Sequence, residues 1–193
     1  IGGKPLIEHQ IEIFKSQGFT EFIFCIAHLK EKVKEHFGNG SEFGVEIFYS
    51  EEKEELMGTA GAVKLTESYL KEKFLVFFGD IISNLNFKQM IELHDKNDSL
   101  MTIAAHPRPK THTFTSFLDV DGVIITKFVE KPDQSLIDSY PRDEIYVNSS
   151  VYVMEPEALN FIPKDVKYDF GHELIPKLLK KGKKLVLYAH DNE

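Results

Sequence analysis

Phe74-Leu75-Val76-Phe77-Phe78-Gly79-Asp80 is the stretch on which the reading of this chain turns. A continuous apolar run with no polar alternation suits a central strand of a parallel sheet covered on both faces. It ends in a glycine that loosens the backbone and an aspartate delivered to the strand's own carboxyl end. Ligands of open α/β sheets bind outside the carboxyl ends of the strands, so Asp80 is a candidate functional residue. Gly-Asp after a strand is also ordinary turn chemistry, and the pair alone does not separate the two readings. Just upstream, Leu56-Met57-Gly58-Thr59-Ala60-Gly61-Ala62 sets small residues before a helical pattern, where a ligand could approach backbone N–H groups closely. This stretch lacks the Lys and Ser or Thr of a Walker loop and the spacing of a dinucleotide fingerprint. Close helix packing accounts for its small residues equally well. Together the two segments suggest phosphate and metal chemistry.

Outward from this strand, the hydrophobic period alternates between helix and strand. Residues 5–17 read as a helix with Pro5 at its first turn, an apolar stripe of Leu6, Ile7, Ile11 and Phe14, and Gly18 to close it. Residues 22–27 read as a strand, 29–37 as a helix and 45–49 as a strand, followed by the acidic run Glu51, Glu52, Glu54 and Glu55, a solvated loop. Helix is expected at 60–71 and 87–96, and strand at 74–78 and 101–105. Residues 106–110 form a stiff, proline-rich connection. Strands at 116–120 and 123–129 then flank Asp121-Gly122, a strong hairpin signal. The hairpin ends in Glu130-Lys131-Pro132, where Pro stops the strand and the acid and base have as their default reading a weak surface ion pair. A strand at 146–154, helices at 157–161 and 169–180, and a strand at 184–188 complete the chain. The expected fold is α/β and Rossmann-like: a mostly parallel central sheet with helices on both faces and an antiparallel hairpin excursion.

Composition narrows the function classes. With 193 residues, 42% hydrophobic and 28% charged, the chain can bury a proper core as one domain. A net charge of -8 without a basic, aromatic-interleaved patch argues against a nucleic acid polymer as partner. The lysines of 177–184 suit the solvated end of a helix. Cys25, the only cysteine, sits in an apolar run and is expected to be a buried thiol, too few for a disulfide or zinc framework. No stretch is long enough to span a bilayer and no signal-peptide pattern is present, which points to no membrane and a cytoplasmic location.

Five motifs in order carry a resemblance: Gly2-Gly3-Lys4-Pro5-Leu6-Ile7, the Leu56 to Ala62 stretch, Phe77-Phe78-Gly79-Asp80, Phe128-Val129-Glu130-Lys131-Pro132, and Val147-Asn148-Ser149-Ser150-Val151-Tyr152-Val153-Met154. The chain resembles the sugar-phosphate nucleotidyltransferase family over nearly its whole length, nearest the mannose-1-phosphate guanylyltransferase-like and glucose-1-phosphate thymidylyltransferase-like branches. The resemblance implies nucleotidyl transfer. A sugar 1-phosphate oxygen attacks the α-phosphorus of a nucleoside triphosphate, giving a nucleotide sugar and pyrophosphate. It implies Mg²⁺ as cofactor with Asp80 as its ligand, Gly58, Thr59 and Ala60 at the nucleobase and ribose, Glu130 on the sugar hydroxyls, Lys131 near the sugar phosphate and Asn148 in the sugar pocket. Charge neutralisation and positioning are the work asked of Asp80 and Lys131. Assembly as a homo-oligomer is compatible with the sequence.

The departures from the family pattern are as specific. Relatives carry a glycine-rich loop with an Arg and a Lys-Pro segment ahead of the Gly2-Gly3-Lys4-Pro5 stretch, and a second metal-binding Asp after the closing strand. Residues 1–193 are therefore expected to be an incomplete nucleotidyltransferase domain, inactive by itself and active in the full-length product. The commoner Tyr-Gly that approaches the sugar is replaced by Thr111-His112-Thr113-Phe114-Thr115-Ser116, and Ala-Gly by Ser149-Ser150. His106 and His112 are read as solvated, His172 as packing or capping, and Asp169 as a helix cap. The alternative reading is a non-catalytic regulatory or assembly domain, since fold does not fix function. Retention of Asp80, Glu130 and Lys131 together favours the enzyme. A kinase or dehydrogenase fails for want of either phosphate-loop signature.

Overall fold

The computed structural model describes residues 2–52, 56–110 and 116–190. Glu54, Glu55, His112 and most of the 111–116 departure lie outside the described residues. Fourteen regular elements follow the expected alternation: α1 (Leu6–Ser16), β1 (Glu21–Ile26), α2 (Lys30–Phe37), β2 (Glu46–Glu51), α3 (Gly58–Lys64), β3 (Phe74–Phe77), α4 (Phe87–Lys96), β4 (Met101–Pro109), β5 (Ser116–Asp121), β6 (Ile124–Glu130), α5 (Gln134–Ser139), β7 (Glu144–Met154), α6 (Ile175–Lys180) and β8 (Leu185–Ala189). Helix α1 buries Ile11 and Phe14, the stripe its spacing dictates. It stops in a Schellman motif: Phe19 N–H donates to Phe14 O and Gly18 N–H to Lys15 O, with Gly18 at φ 95°. Helix α5 was not foreseen. Its cap is local chemistry, since Asp133 Oδ1 accepts from Leu136 N–H at 2.8 Å.

The sheet is not mostly parallel. Six strands run in the order β3-β7-β4-β8-β6-β5, and β5 also pairs with β7, so five of them close on themselves like a barrel. Only β4 with β8 and, in a separate two-stranded sheet, β1 with β2 are parallel; the pairs β3·β7, β4·β7, β5·β6, β5·β7 and β6·β8 are antiparallel. The reason is topological. The hairpin β5–β6 is no side excursion but part of the sheet, and the chain returns from it through β7, which inserts between β3 and β4. Helices do cover both faces. Along β7, Tyr152 and Met154 pack into one core with Phe170, Leu174 and Leu178, while Val151 and Val153 pack into another with Phe14, Phe87 and Met90. The expected helix at 169–180 begins instead as a π-helical turn, Phe170–Leu174, before α6.

Strands β1 and β3 face each other across a cleft of about 1220 Å³ lined by Phe22, Phe24 and Ile26 on one side and Phe74, Val76 and Phe78 on the other. Among the described residues β1 pairs only with β2, and β3 only with β7. Each therefore turns an unpaired edge toward the cleft. This corrects the reading of Cys25. Its thiol is exposed to the cleft, 3.7 Å from Ala62 O, and the protein atoms crowding it push it up to about 11.

Several polar groups expected in solvent are engaged. Glu51 pairs with Lys30 and Lys34, Glu52 Oε2 accepts from Met57 N–H at 2.5 Å, and Lys177 Nζ donates to Phe161 O at 2.8 Å. His106 is half-buried. Its Nδ1 lies 3.0 Å from Ser149 Oγ, which lies 2.8 Å from His190 Nε2. His94 is buried, with Nδ1 2.9 Å from Thr102 Oγ1 and Nε2 3.2 Å from Glu155 Oε1. Burial lowers both imidazoles, that of His106 to about 4 with help from Arg108 and His190. An unfolded histidine takes up its proton near pH 6.5, whereas folded His106 does so only near pH 4, so acid favours the unfolded chain throughout that window. Melting temperature is expected to fall as pH drops from 7 to 4.5, and to fall less in His106→Asn; equal slopes would clear His106 of the effect.

Candidate active site

Asp80 sits in the turn that leaves β3, and helix α1 holds that turn from beneath. Gln10, only 7% exposed, donates from Nε2 to Phe78 O at 3.1 Å and to Ile81 O at 2.5 Å. Those two carbonyls bracket Gly79 and Asp80. Two turns further along, Gln17 donates to Leu85 O and accepts from Phe87 N–H, pinning the far end of the same connection. The Asp80 carboxylate itself is exposed and has no hydrogen bond or ion pair to another described residue. A carboxylate on a fixed backbone with open coordination positions is a candidate for one ligand of a hydrated divalent cation.

Gly58 and Thr59 line the same cleft as Asp80. The 56–62 stretch enters α3 as expected, but its N–H groups are not open to a phosphate. Thr59 N–H donates to Asp169 Oδ1 at 2.9 Å, and Ala60 and Gly61 N–H both donate to Tyr168 O at 2.9 Å. Tyr168 N–H returns a bond to Met57 O at 2.8 Å. Gly58 has φ 73°, and a β-carbon on it would stand 2.8 Å from Tyr168 O, so glycine is required by both backbone angle and space. The loop is thus a rigid backbone surface locked to the 168–170 segment. Asp169 serves this lock, not the cap foreseen for it; Glu173 Oε2 instead accepts from Asp169 N–H at 2.7 Å.

Glu130 ends β6, half-buried against Gly171, where a β-carbon would collide with its carboxylate. Burial raises it, while His172 and Lys131 pull it down, Asp169 pushes it up and the Ser116 hydroxyl donates to it. Exposed His172 therefore acts on Glu130 by charge, a role its sequence position did not suggest. Lys131 is exposed with φ 46°, an uncommon backbone state for a residue with a β-carbon. Asn148 lies at a bulge, where Ile103 faces Tyr152 but Ala105 faces Asn148, so β7 carries two more residues than β4 between these pairs. Ser150 in the bulge has φ 57°, a left-handed backbone state that suits the glycine the resemblance implies there. The Asn148 amide is fixed at both ends: Nδ2 donates to Tyr152 Oη at 3.0 Å, and Oδ1 accepts from Ser150 N–H at 3.1 Å. Burial pushes the Tyr152 phenol up to about 12, and the nearby Glu130 charge adds to it.

The structure therefore sets Asp80, Gly58 and Thr59 on one cleft and joins them through Asp169 and Gly171 to Glu130. Ala60 faces the interior, bonded by its N–H to Tyr168. Asn148 joins through Tyr152, whose ring lies 4.8 Å from Phe170. Sequence reasoning missed Gln10, Tyr152 and Gly171. A signal for Gln10 was present, since it stands three residues after Ile7 and four before Phe14, on the apolar stripe. Elsewhere, His94, Asp95 and Glu155 cluster closely enough for a metal, but both His94 nitrogens already have partners and Asp95 pairs with Lys73.

An exposed carboxylate at a strand end, on a cleft shared with a rigid backbone loop, is a geometry that comparison with known proteins then assigns to a class. The nucleotidyl transferase family model matches residues 1–193, and the chain belongs to that family of sugar-phosphate nucleotidyltransferases. It is 30% identical to the UTP–glucose-1-phosphate uridylyltransferase of Synechocystis over 96% of this chain and 50% of that protein. It is 31% identical to the mannose-1-phosphate guanyltransferase of Kluyveromyces lactis over 100% of this chain and 52% of that protein. The chain thus spans about half the length of these two relatives. A probable glucose-1-phosphate cytidylyltransferase of Bacillus subtilis is 26% identical, with 98% and 78% covered. In fold it is similar to HddC from Yersinia pseudotuberculosis, with TM-score 0.78 and 22% identity over 97% of this chain and 77% of that one. No helix among the described residues is long and apolar enough to cross a membrane.

Removing the Gln10 amide takes the donor from Ile81 O and leaves Phe78 O with only the long 3.4 Å bond from Ile81 N–H beneath the Asp80 turn. Gln10→Ala is expected to cost about 1–3 kcal/mol in urea denaturation and to speed amide exchange at 79–81. Gln10→Glu, which cannot donate when ionised, should be worse at pH 7 than at pH 4.

Proposed function

We propose that the full-length product transfers a nucleotidyl group from a nucleoside triphosphate to a sugar 1-phosphate, and that residues 1–193 carry the base, metal and sugar positions of that reaction. The observation that carries this reading is the exposed Asp80 carboxylate, without a partner among the described residues, on a cleft shared with Gly58 and Thr59. In this reading the sugar phosphate oxygen attacks the α-phosphorus, the bond from that phosphorus to the bridging oxygen breaks, and pyrophosphate leaves. Gly58 and Thr59 take the nucleobase and ribose, with fully buried Ala60 backing them from the interior. That role fits a loop whose N–H groups are largely spent inside the protein better than a phosphate cradle does, because a flat base can be read by a rigid backbone face.

Glu130 and Asn148 take the sugar hydroxyls. Glu130 stays a hydrogen-bond acceptor in a half-buried place, and Asn148 cannot rotate without giving up Tyr152 or Ser150. Lys131 meets the sugar phosphate with a point charge on an exposed, backbone-fixed stem. Asp80 fits a Mg²⁺ ion, which uses one or two carboxylates with substrate phosphates completing its shell. Bound there, the ion would neutralise charge on the phosphoryl oxygens. The names of the relatives support the sugar-phosphate substrate class and leave base and sugar open among UTP, GTP and CTP partners.

The cleft between β1 and β3 supports a further part of the reading, that the domain is completed by the glycine-rich segment expected ahead of Ile1. Two unpaired, apolar strand edges are the form of site an extended segment fills.

In the full-length product, Asp80→Asn is expected to cut turnover by about a thousandfold or more with the melting temperature unchanged, as removal of a charge-stabilising group does. Unchanged rates would take Asp80 out of the site. Lys131→Ala should raise KM for the sugar 1-phosphate and leave KM for the triphosphate unmoved, read as pyrophosphate release across a panel of both substrates with and without Mg²⁺.

A further inference from the structure

Residues 168–171 touch both halves of the site yet have no place in the chemistry. On one side they take up the start of α3: Tyr168 O accepts from Ala60 and Gly61, Asp169 Oδ1 accepts from Thr59 N–H at 2.9 Å and from Thr59 Oγ1 at 3.1 Å, and Phe170 N–H donates to Thr59 Oγ1 at 3.1 Å. On the other side, two residues along, Gly171 lies against the Glu130 carboxylate with no room for a β-carbon. Between them Phe170 is 1% exposed and stacks at 4.8 Å on Tyr152, the partner of Asn148. The π-helical turn that begins at Phe170 cannot slide, because Glu173 holds Asp169 N–H and Leu174 N–H bonds Asp169 O at 3.0 Å.

We propose that the 168–171 segment is a strap that sets the distance between the nucleotide loop and the sugar-binding acid, with Asp169 as the positioning residue for Gly58 and Thr59 and Gly171 as the seat of Glu130. This rests on the assignment of those residues to nucleotide and sugar. The physical argument is one of shared rigidity. The loop at 58–60 and the end of β6 belong to different elements with no direct hydrogen bond between them, and two substrates that react in line must be held to within a fraction of an ångström. One short, doubly bonded segment, anchored by buried Phe170 and meeting both, is the economical way to do so. Asp169 acts as an acceptor. Its Oδ1 takes two donors from a single residue, which fixes the Thr59 backbone and its side-chain rotamer together.

The test is made on the full-length protein with three variants. Asp169→Ala removes the acceptor, Asp169→Asn keeps an Oδ1 in the same place without the charge, and Gly171→Ala crowds Glu130. Asp169→Ala should lower kcat about tenfold and raise KM for the triphosphate, and Asp169→Asn should recover most of both, the pattern of two substrates no longer held in line. Gly171→Ala should instead raise KM for the sugar 1-phosphate. Amide exchange over 57–61 supplies a readout independent of turnover: it should quicken in Asp169→Ala and stay near wild type in Asp169→Asn. If Asn behaves like Ala in both kinetics and exchange, or if Asp169→Ala leaves 57–61 as protected as before, the strap is wrong. If exchange behaves as described while the wild-type protein uses no triphosphate and sugar 1-phosphate pair, the strap stands and the functional reading falls.

Discussion

Three rings set where everything else can be. Phe78, Tyr152 and Phe170 lie 6.2, 6.4 and 4.8 Å apart in pairs, where the end of β3, the middle of β7 and the start of the π-helical turn converge. Each ring stands next to a residue of the candidate site: Phe78 two before Asp80, Tyr152 holding Asn148, Phe170 between Asp169 and Gly171. Large rings in contact bury much area and resist sliding, so the contact fixes three backbones against one another at low entropic cost. The polar groups above can then be exposed, as Asp80 is, without being loose. Gln10 adds the fourth support, a side-chain donor that ties the Phe78 and Ile81 carbonyls on either side of Asp80 to helix α1.

Backbone strain collects at the same place. Lys131 and Ser150 both hold positive φ with a β-carbon present, a state that costs of order 1–3 kcal/mol and persists only where surroundings insist on it. At Ser150 the insistence comes from the bulge and from the Asn148 side chain, which accepts its N–H. Lys131 holds its positive φ between the end of β6 and Pro132, although a following proline favours extended backbone at negative φ.

The fold was legible in its units and not in their arrangement. Apolar runs and their periods reveal which residues are covered, and 74–78 was read as a buried strand because it is one. They carry no record of which strand lies alongside or in which direction, so repeated strand and helix suggested parallel pairing until β7 was seen to return between β3 and β4. Cys25 was misplaced for a related reason. Its run is apolar because of the neighbours such a strand requires, and one of its edges is bare among the described residues. For the candidate site, side chains with an evident chemical use, Asp80, Glu130 and Lys131, offer themselves as candidates from sequence. Tyr168 does not, because its contribution is a carbonyl oxygen that every residue possesses. Asp169 was noticed but given the local role its position suggested, and its partner is more than a hundred residues away.

That separation along the chain has a kinetic and a cellular side. Residues near 10, 58, 80, 130, 148 and 169 meet only when the whole sheet has formed, and contacts so distant in sequence form late and slowly. No partly folded intermediate would offer a ligand half a binding place. A small molecule that settles there recognises the finished chain alone and draws the folding equilibrium toward it in proportion to its concentration. The supply of substrate would then govern how many copies escape proteolysis, quite apart from how fast each one works.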